Sequence, residues 1–299
     1  MRIGVIFPQT EIGTDPTAIR DFAQAVEALG YDHLEIYDHV LGANTAARPG
    51  WLGYTMADMF HEILVLFGDL AACTNRIGLS TGILILPQRQ TALVAKQAAE
   101  VDVLSRGRLR LGVGVGWNSV EYEALGMDFS RRGAIMQEQV AVLRALWTQE
   151  SVTFHGRWHH IVEAGINPLP VQRPISIWMG GEADAVLKRV ARLADGWIPG
   201  GGLQNQVTRH PRVDRAQQME QMRVYLREAG RDPASLGIEG RISMAGGGPD
   251  EWRRAAEEWR ALGATHLGIT TMRAGFATPQ AHIDAVRRAH DALDDLASP

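Results

Sequence analysis

The sequence predicts a (β/α)8 barrel, the TIM-barrel fold of the α/β class, on three observations. Short runs rich in β-branched residues alternate with amphipathic helical segments, and eight such alternations are present in 299 residues. Clear helix start signals occur near both ends of the chain, and no shift in composition marks a boundary between two domains. An alternation of this length fits a barrel of parallel strands better than a doubly wound sheet with two lobes.

Eight short apolar runs are the predicted barrel strands. In chain order they are Ile3–Phe7, His33–Tyr37, Ile77–Ile85, Leu109–Val115, Ile175–Met179, Gly196–Ile198, Ile238–Met244 and Thr265–Thr270. Three longer irregular segments, 42–55, 150–173 and 200–210, are predicted to be insertion loops within one domain that spans 1–299. Because the active site of such a barrel lies at the C-terminal ends of the strands, the residues that follow each strand are the candidates for function.

The helices are marked by capping residues and by the spacing of apolar side chains. Asp15–Pro16 starts the first helix, which Gly30 ends, and Thr278–Pro279 starts the last one. In the middle of the chain, an apolar stripe with helical spacing is predicted to face the core. Its members are Met136, Val140, Leu143 and Trp147.

The composition allows a full hydrophobic core and indicates no macromolecular partner. The sequence is 45% hydrophobic with a net charge of −4, and no basic patch or tail indicates nucleic acid. No uninterrupted apolar run reaches the roughly 18 residues of a membrane helix. The chain begins with the strand-like MRIGVIF rather than with a signal peptide, so we expect a cytoplasmic protein with small-molecule ligands. The single cysteine, Cys73, excludes an internal disulfide bond.

The segment Leu109–Glu121, LRLGVGVGWNSVE, contains three alternating glycines. It lacks the dinucleotide-binding fingerprint, because Trp117 stands where that motif needs its third glycine. Strict alternation places Gly112, Gly114 and Gly116 on one face of a strand. Missing side chains on one face indicate that something approaches the backbone closely. Two interpretations stay open: close packing within the protein, or a flat ligand.

Polar and glycine-rich segments follow several predicted strands. They are Pro8–Gln9, Asp38–His39, Thr81–Arg89, Gly114–Glu121, Gly180–Glu182 and Trp197–Gly200. Gly180 and Gly181 end a strand, and Glu182 is predicted to open a helix. Backbone N–H groups at the positive end of a helix dipole bind phosphate, so this turn is a candidate phosphate site. A tight turn with a purely structural role is the alternative.

Several ordered motifs resemble one known family. The stretch at 80–126, STGILILPQRQTALVAKQAAEVDVLSRGRLRLGVGVGWNSVEYEALG, is followed by RRG at 131–133, IWMGG at 177–181 and LADGWIP at 193–199. Together they resemble the luciferase-like monooxygenase family, and most closely its actinobacterial branch of oxidoreductases that use coenzyme F420. The resemblance runs from Met1 to Pro199 and continues more weakly to the end of the chain.

This resemblance implies a bacterial luciferase-like TIM barrel, a homodimer, and a flavin or deazaflavin that lies across the strand ends. The cofactor-binding residues that it implies are Thr81, Gly82, Ile83, Gly114, Gly116, Trp117 and Asn118, with Gly180, Gly181 and Glu182 at the phosphate. The first three match positions where related proteins carry a bulge with a non-prolyl cis peptide against the ring. Both coenzyme F420 and FMN are compatible with this arrangement.

His39 is the candidate for chemistry, since a histidine at a strand end can transfer a proton near neutral pH. Asp38 is predicted to orient it or to bond the ring, although neighbours on a strand normally point to opposite faces. Deazaflavin-dependent sugar-phosphate dehydrogenases of the family carry a catalytic glutamate where this sequence has Trp117. Glu121 replaces that glutamate only if its loop folds inward. Trp117 in place of the catalytic glutamate therefore argues against a sugar phosphate as substrate.

The sequence thus leads to an oxidoreductase that uses coenzyme F420 for hydride transfer to or from an organic, apolar substrate. The side chains expected to contact this substrate are Trp51, Trp117 and Trp197. An FMN-dependent monooxygenase that inserts one oxygen atom is the alternative among enzymes. A flavin- or deazaflavin-binding protein without turnover is the alternative of another class. His159–His160 lies in a predicted loop that is able to close over substrate, but it lacks the third ligand of a metal site.

Overall fold

The computed structural model of the chain describes residues 1–200 and 214–297. Within them, nine strands form one parallel sheet, and two form a separate antiparallel hairpin. The sheet strands are β1 Arg2–Ile6, β2 His33–Ile36, β3 Gly78–Thr81, β4 Leu84–Ile85, β5 Leu109–Gly114, β8 Ser176–Gly180, β9 Gly196–Ile198, β10 Gly237–Ser243 and β11 His266–Thr270. The hairpin strands are β6 Val152–His155 and β7 His160–Ala164. The predicted loop at 200–210 lies, after Gly200, outside the described residues.

The parallel sheet closes into a barrel. Its order is β3-β2-β1-β11-β10-β9-β8-β5-β4, and β3 also pairs with β5, so the two ends of the sheet meet. β3 and β4 are the two halves of the third barrel strand, which leaves eight strand positions in the described part of the chain. The predicted (β/α)8 barrel is confirmed, and each predicted strand overlaps an observed one.

The third strand is interrupted by a bulge. Leu79 lies opposite Leu109, whereas Leu84 lies opposite Val113, so the offset between the paired residue numbers changes by one. One extra residue therefore sits between β3 and β4. The peptide bond between Gly82 and Ile83, inside the bulge, is cis. The bulge implied by the family resemblance is present at the matching positions.

Helices surround the barrel. Those of the described residues are α1 Pro16–Ala28, α2 Ile63–Cys73, α3 Thr91–Leu104, α4 Ser119–Ala124, α5 Arg132–Thr148, α6 Asp184–Leu193, α7 Arg215–Glu228, α8 Pro249–Leu262 and α9 Pro279–Leu293. Asp15 caps α1 by accepting a hydrogen bond from Thr17 N at 2.9 Å. Thr278 caps α9 by accepting one from Ala281 N at 3.2 Å. Both predicted helix starts are confirmed, and the apolar stripe of α5 is buried as predicted.

The core has an apolar outer layer and a polar interior. Where strands and helices meet, side chains such as Val5 and Phe22 are fully buried, and each contributes about 1.5–3 kcal/mol to stability. Inside the barrel, Glu35 and Glu239 have no exposed surface. No helix in residues 1–200 and 214–297 is long and apolar enough to cross a membrane.

The prediction of an irregular loop over 150–173 is wrong for its first half, because β6 and β7 form a hairpin there. The two strands are short and lie outside the barrel, with few buried side chains to mark them in the sequence. His159 anchors the hairpin: its Nδ1 lies 2.7 Å from Glu138 Oε1, and its Nε2 lies 2.6 Å from Thr91 Oγ1. His159 is therefore bound to α5 and α3 rather than placed in a segment that closes over a site. The predicted loop at 42–55 contains no helix or strand, only an isolated bridge between Ala43 and Thr55.

Candidate active site

His39 lies at the rim where the C-terminal ends of the parallel strands meet. Its Nδ1 is 3.0 Å from Oε1 of Glu121, which belongs to α4. Asn118 caps this short helix by accepting a hydrogen bond from Val120 N, and its Nδ2 donates to the carbonyl oxygen of Leu41. The capped turn directs Glu121 inward. A role for Glu121 in place of the glutamate that is missing at position 117 required this orientation.

Glu121 is fully buried, and its carboxylate binds the chain on both sides of His39. Oε1 also accepts hydrogen bonds from the N–H groups of Val40 at 2.8 Å and Leu41 at 3.3 Å. Oε2 accepts one from Gln88 Nε2 at 3.0 Å. Burial raises the pKa of Glu121, but the hydrogen bonds from His39, Gln88 and the backbone outweigh burial and hold the pKa below its usual value. Glu121 is therefore ionised at neutral pH.

The charge of Glu121 determines which nitrogen of His39 carries a proton. An ionised carboxylate only accepts hydrogen bonds, so Nδ1 of His39 is the donor. In the neutral ring, Nε2 then holds the lone pair and is the nitrogen left to exchange a proton. Nε2 has no hydrogen-bond partner in the part of the chain that the structure describes.

Aromatic side chains surround the His39 ring. The ring centroids of Phe60, Tyr54 and Trp117 lie 4.8, 4.9 and 5.5 Å from it. Trp51 lies 5.6 Å from Trp117 and extends the same surface. This cover leaves 9% of the His39 side chain exposed. The segment after β2 therefore folds over the rim and makes an apolar wall beside the histidine.

Asp38 faces away from this wall. Its Oδ2 accepts a hydrogen bond from Ile85 N at 3.0 Å, and its Oδ1 accepts one from Arg89 at 2.7 Å. Asp38 thus ties the end of β2 to the second half of the third strand. The predicted orientation of His39 by Asp38 needs correction, because Glu121 makes that hydrogen bond. The physical reason is that neighbouring residues of an extended chain point to opposite sides.

Gly112 and Gly114 of β5, and Gly116 just beyond the end of the strand, make room for the third strand. A Cβ built on each would meet an atom of that strand: on Gly112 the Thr81 carbonyl oxygen at 2.0 Å, on Gly114 the Ile83 Cδ1 at 2.4 Å, and on Gly116 the Ile85 Cγ2 at 2.7 Å. Thr81 Oγ1 also donates to the Gly112 carbonyl at 2.6 Å. Close packing within the protein accounts for these glycines, and the space over them is filled by the bulged strand.

The cofactor-binding residues implied by the family resemblance fall into two groups by accessibility. Those partly exposed at the rim are Ile83, Gly116, Trp117, Gly180, Gly181 and Glu182. Those buried behind them are Thr81, Gly82, Gly114 and Asn118. Ile83 connects the groups, because its side chain packs between Gly114 and Gly180. Only the first group presents surface to a molecule bound at the rim.

The helix after β8 begins later than predicted. α6 starts at Asp184, and Ala183 rather than Glu182 occupies the N-cap position. The N–H of Gly181 donates to the Ile198 carbonyl at 3.2 Å, so this group is used within the barrel. Ala183 offers no capping side chain, and the first turn of α6 therefore keeps N–H groups without a side-chain cap.

Trp197 is a core residue and not part of the rim. It has no exposed surface, and its Nε1 donates to the Gly181 carbonyl at 2.8 Å. The prediction that it contacts substrate is corrected accordingly. Trp117, in contrast, lies beside His39, and Trp51 packs against Trp117.

Sequence reasoning missed two residues of this site, Tyr54 and Phe60, and gave no individual role to two others. Gln88 and Arg89 lie in the candidate segment Thr81–Arg89, but their partners were not predicted. Tyr54 and Phe60 carried no comparable signal, because their contact with His39 depends on the path of an irregular segment. No group of three or more His, Cys, Asp or Glu side chains that suits a metal ion occurs in the described ranges.

The closed parallel barrel with its bulged third strand agrees with the fold that the family resemblance implies. The sequence profile of the luciferase-like monooxygenase family matches residues 1–295, and the chain belongs to this family. The family membership predicted from the motifs is confirmed.

The chain is similar in sequence to a flavin-dependent enzyme and in fold to an F420-dependent enzyme. An uncharacterised protein of Mycobacterium tuberculosis is 37% identical over 202 residues, 66% of this chain and 69% of that protein. The FMNH2-dependent dimethylsulfone monooxygenase of Pseudomonas fluorescens is 31% identical over 185 residues, 61% of this chain and 47% of that enzyme. The coenzyme F420-dependent tetrahydromethanopterin reductase of Methanopyrus kandleri has a similar structure, with a TM-score of 0.72 at 15% identity over 95% of this chain and 96% of that one. Likeness at that identity shows the fold alone.

Proposed function

We propose that this protein is an oxidoreductase that binds coenzyme F420 at the barrel rim and exchanges a hydride between it and an organic substrate. The observation that carries the proposal is the buried His39–Glu121 pair beside the bulged third strand. Membership of the luciferase-like monooxygenase family supports an enzyme. The similarity in fold to an F420-dependent reductase is compatible with this cofactor.

The residues at the rim fit a planar ring. Ile83 is a partly exposed apolar side chain within the bulge. Two buried amide oxygens next to the strand ends, those of Gln9 and Gln88, have no hydrogen-bond partner among residues 1–200 and 214–297. The pyrimidine edge of a flavin or deazaflavin carries an N–H between two carbonyls, and a buried acceptor without a partner suits such a donor. Ile83 would contact the face of the ring, and one of the two glutamines would accept from the N–H of its edge.

We propose that the phosphate of the cofactor binds at the first turn of α6. Backbone N–H groups without a side-chain cap lie there, at the positive end of the helix dipole. Gly180 and Gly181 carry no side chain that would block the approach. The carboxylate of Glu182 forms an ion pair with Arg215 at 2.6 Å, so its negative charge is balanced. This position lies two residues further along the chain than the one predicted from the sequence.

When bound, the deazaflavin supplies the hydride chemistry, and the protein supplies orientation and a proton. Nε2 of His39 gives one proton to the substrate or takes one from it, depending on the direction of the reaction. Glu121 keeps Nδ1 protonated and stabilises the imidazolium that forms when Nε2 takes a proton. The residues Val40, Leu41 and Gln88 hold Glu121 in place for this role.

The substrate is proposed to be apolar in the part that lies near His39. Tyr54, Phe60, Trp51 and Trp117 form the wall there. Aromatic rings gain both from buried area and from offset or edge contacts with other rings. A substrate with an aromatic or branched apolar group next to its reacting carbon fits this wall.

An FMN-dependent monooxygenase is the second candidate function. The observation that favours it is the 31% identity to an FMNH2-dependent monooxygenase. The same rim residues would hold the flavin ring, and the aromatic wall would exclude water from its reactive edge.

Titration of the purified protein with coenzyme F420 and with FMN tests the proposal. We expect F420 to bind at least about tenfold more tightly, which corresponds to about 1.4 kcal/mol. The absorbance spectrum and mass of the cofactor that copurifies from a host that makes both should show the deazaflavin. Equal or reversed affinities would make the monooxygenase the leading function. Binding without turnover of any hydride acceptor would instead indicate a cofactor-binding protein.

A further inference from the structure

A cluster of buried charged and polar side chains occupies the barrel interior beneath the rim. Its members are His33, Glu35, Arg110, Glu239 and Arg241. Arg110 pairs with Glu239 at 2.6 Å, and Arg241 pairs with Glu35 at 2.5 Å. Buried ion pairs are expensive to desolvate, and apolar replacements of similar volume are often as stable or more so. Stability alone therefore does not account for this cluster, which we call the interior ionic cluster.

Arg241 connects the interior ionic cluster to the bulge of the third strand. One of its terminal nitrogens donates both to Glu35 Oε1 and to the carbonyl oxygen of Gly82, the latter at 3.1 Å. On the other side, the N–H of Gly82 donates to the Ile36 carbonyl at 2.7 Å. Gly82 directly precedes Ile83, whose side chain is partly exposed at the rim. The bulge is therefore held from the barrel interior by a charge-assisted hydrogen bond.

Arg241 has two buried acceptors at this point, the Glu35 carboxyl group and the Gly82 carbonyl. Burial raises the pKa of Glu35 to about 8, and the Arg241 cation opposes that shift. The terminal nitrogen of Arg241 that contacts Glu35 carries two N–H groups, so the Gly82 carbonyl oxygen serves as its second acceptor.

Arg110 belongs to the same cluster without touching the bulge. Its Nε donates to Ser80 Oγ at 2.9 Å, and its guanidinium lies 4.3 Å from the centre of the Trp178 ring. The exposed fractions of the two arginine side chains are similar, 13% for Arg110 and 17% for Arg241. Arg110 is therefore a matched control for the loss of one buried cation.

We propose that Arg241 is a positioning residue for the cofactor: through the Gly82 carbonyl it fixes the bulge, and with it Ile83, against which the ring rests. The inference rests on the proposed function. Arg241 positions the ring indirectly, through the backbone of the bulge. His39, in contrast, acts directly on the substrate at the reacting end of the ring.

The test compares Arg241→Gln with Arg110→Gln, and adds Arg241→Lys as a conservative variant. Hydrogen exchange of the Gly82 and Ile85 amides, measured by NMR in the cofactor-free protein, reports the bulge directly. We expect both glutamine variants to lower the free energy of unfolding by similar amounts. Only Arg241→Gln should speed exchange at these two amides by about tenfold or more, and weaken F420 binding by a similar factor. Arg241→Lys should recover part of both losses.

Equal losses of affinity and protection in the Arg110 and Arg241 variants would overturn the proposal, as would unchanged exchange in Arg241→Gln. If Arg241→Gln does not fold, Arg241→Lys against Arg110→Lys decides the question by the same two measurements. A wild-type protein that binds neither F420 nor FMN contradicts the proposed function. In that case the exchange data still decide whether Arg241 fixes the bulge.

Discussion

The carboxylate of Glu121 accepts four hydrogen bonds, from His39, Val40, Leu41 and Gln88. Three of the donors belong to the chain just after β2, and the fourth belongs to the turn after β4. A single buried side chain thus fixes both the orientation of His39 and the path of the backbone that carries it. The effects of changing His39 and Glu121 are expected to differ for this reason.

Replacing His39 with alanine removes the proton-transferring group and leaves the Glu121 hydrogen bonds to the backbone. We expect kcat to fall by roughly 10²–10⁴-fold while the affinity for cofactor changes much less. Steady-state kinetics and cofactor titration measure the two quantities. His155→Ala, on the exposed hairpin, is the control and should change neither. A loss of affinity with kcat preserved at saturating cofactor would instead assign His39 to ring binding.

Replacing Glu121 with glutamine tests the pH dependence of stability. The folded pKa of Glu121 lies below the usual value of 4.5. Its ionised form therefore contributes stability that is present above about pH 4.5 and lost as the pH falls through the folded pKa. On acidification below about pH 4.5, we expect the free energy of unfolding to fall more steeply in the wild type than in Glu121→Gln.

Urea denaturation over a series of pH values measures this difference. Glu123→Gln is the control, because Glu123 lies on the same helix with a side chain that is 76% exposed. Its pH profile should follow that of the wild type. Identical profiles for all three proteins would show that the hydrogen bonds of Glu121 do not lower its pKa.

At the scale of elements, β5 and the bulged third strand form one unit. The glycines of β5 leave the space that the bulge occupies, and the Thr81 hydroxyl donates to the Gly112 carbonyl. The bulge in turn brings Ile83 to the rim and Ile85 to the carboxylate of Asp38. Because β5 has no side chains at these positions, the third strand is able to bulge against it.

Alanine substitutions at two of these glycines should have unequal effects. A Cβ on Gly112 would meet a backbone carbonyl, which cannot rotate away, whereas a Cβ on Gly114 would meet the end of the Ile83 side chain, which can. We expect Gly112→Ala to lower the free energy of unfolding by about 3 kcal/mol or more. Gly114→Ala should lower it less. Chemical denaturation measures both, and the reverse order would contradict this account of the packing.

At the scale of the whole molecule, the parallel arrangement gathers the ends of all barrel strands at one rim. The same arrangement leaves α2 and α3 side by side on the outside. Large apolar side chains are exposed on them: Val65 on α2 is 72% exposed, and Leu93 on α3 is 51% exposed. A contiguous apolar patch, if these side chains form one, is typical of a surface that is covered in an assembly.

We expect the protein to form a homodimer through α2 and α3. Val65→Glu should shift the dimer toward monomer, because it places a charge in an apolar contact. Analytical ultracentrifugation measures the shift. Val171→Glu is the control, since Val171 is 58% exposed but lies on neither helix. A monomeric wild type, or equal effects of the two substitutions, would rule out this surface.

Much of the fold could be predicted because its signals are local. Capping at Asp15 and Thr278, the apolar stripe of α5 and the positions of the barrel strands depend on residues close in sequence. The hairpin β6–β7 was not predicted, because its strands bury little surface and therefore lack a clear apolar pattern in the sequence. The start of α6 was placed too early, since a glycine turn does not mark which residue after it becomes helical.

The sequence by itself determined the barrel, the family and the set of residues at the strand ends. Only the tertiary structure decided which of them meet. Glu121 rather than Asp38 orients His39, Trp197 belongs to the core, and the three glycines accommodate a strand. These outcomes depend on contacts between segments that are far apart in the chain, such as His39 with Glu121 and Gly82 with Arg241. Local patterns specify the period and the ends of an element, but contacts between distant segments are set by how all the elements pack together.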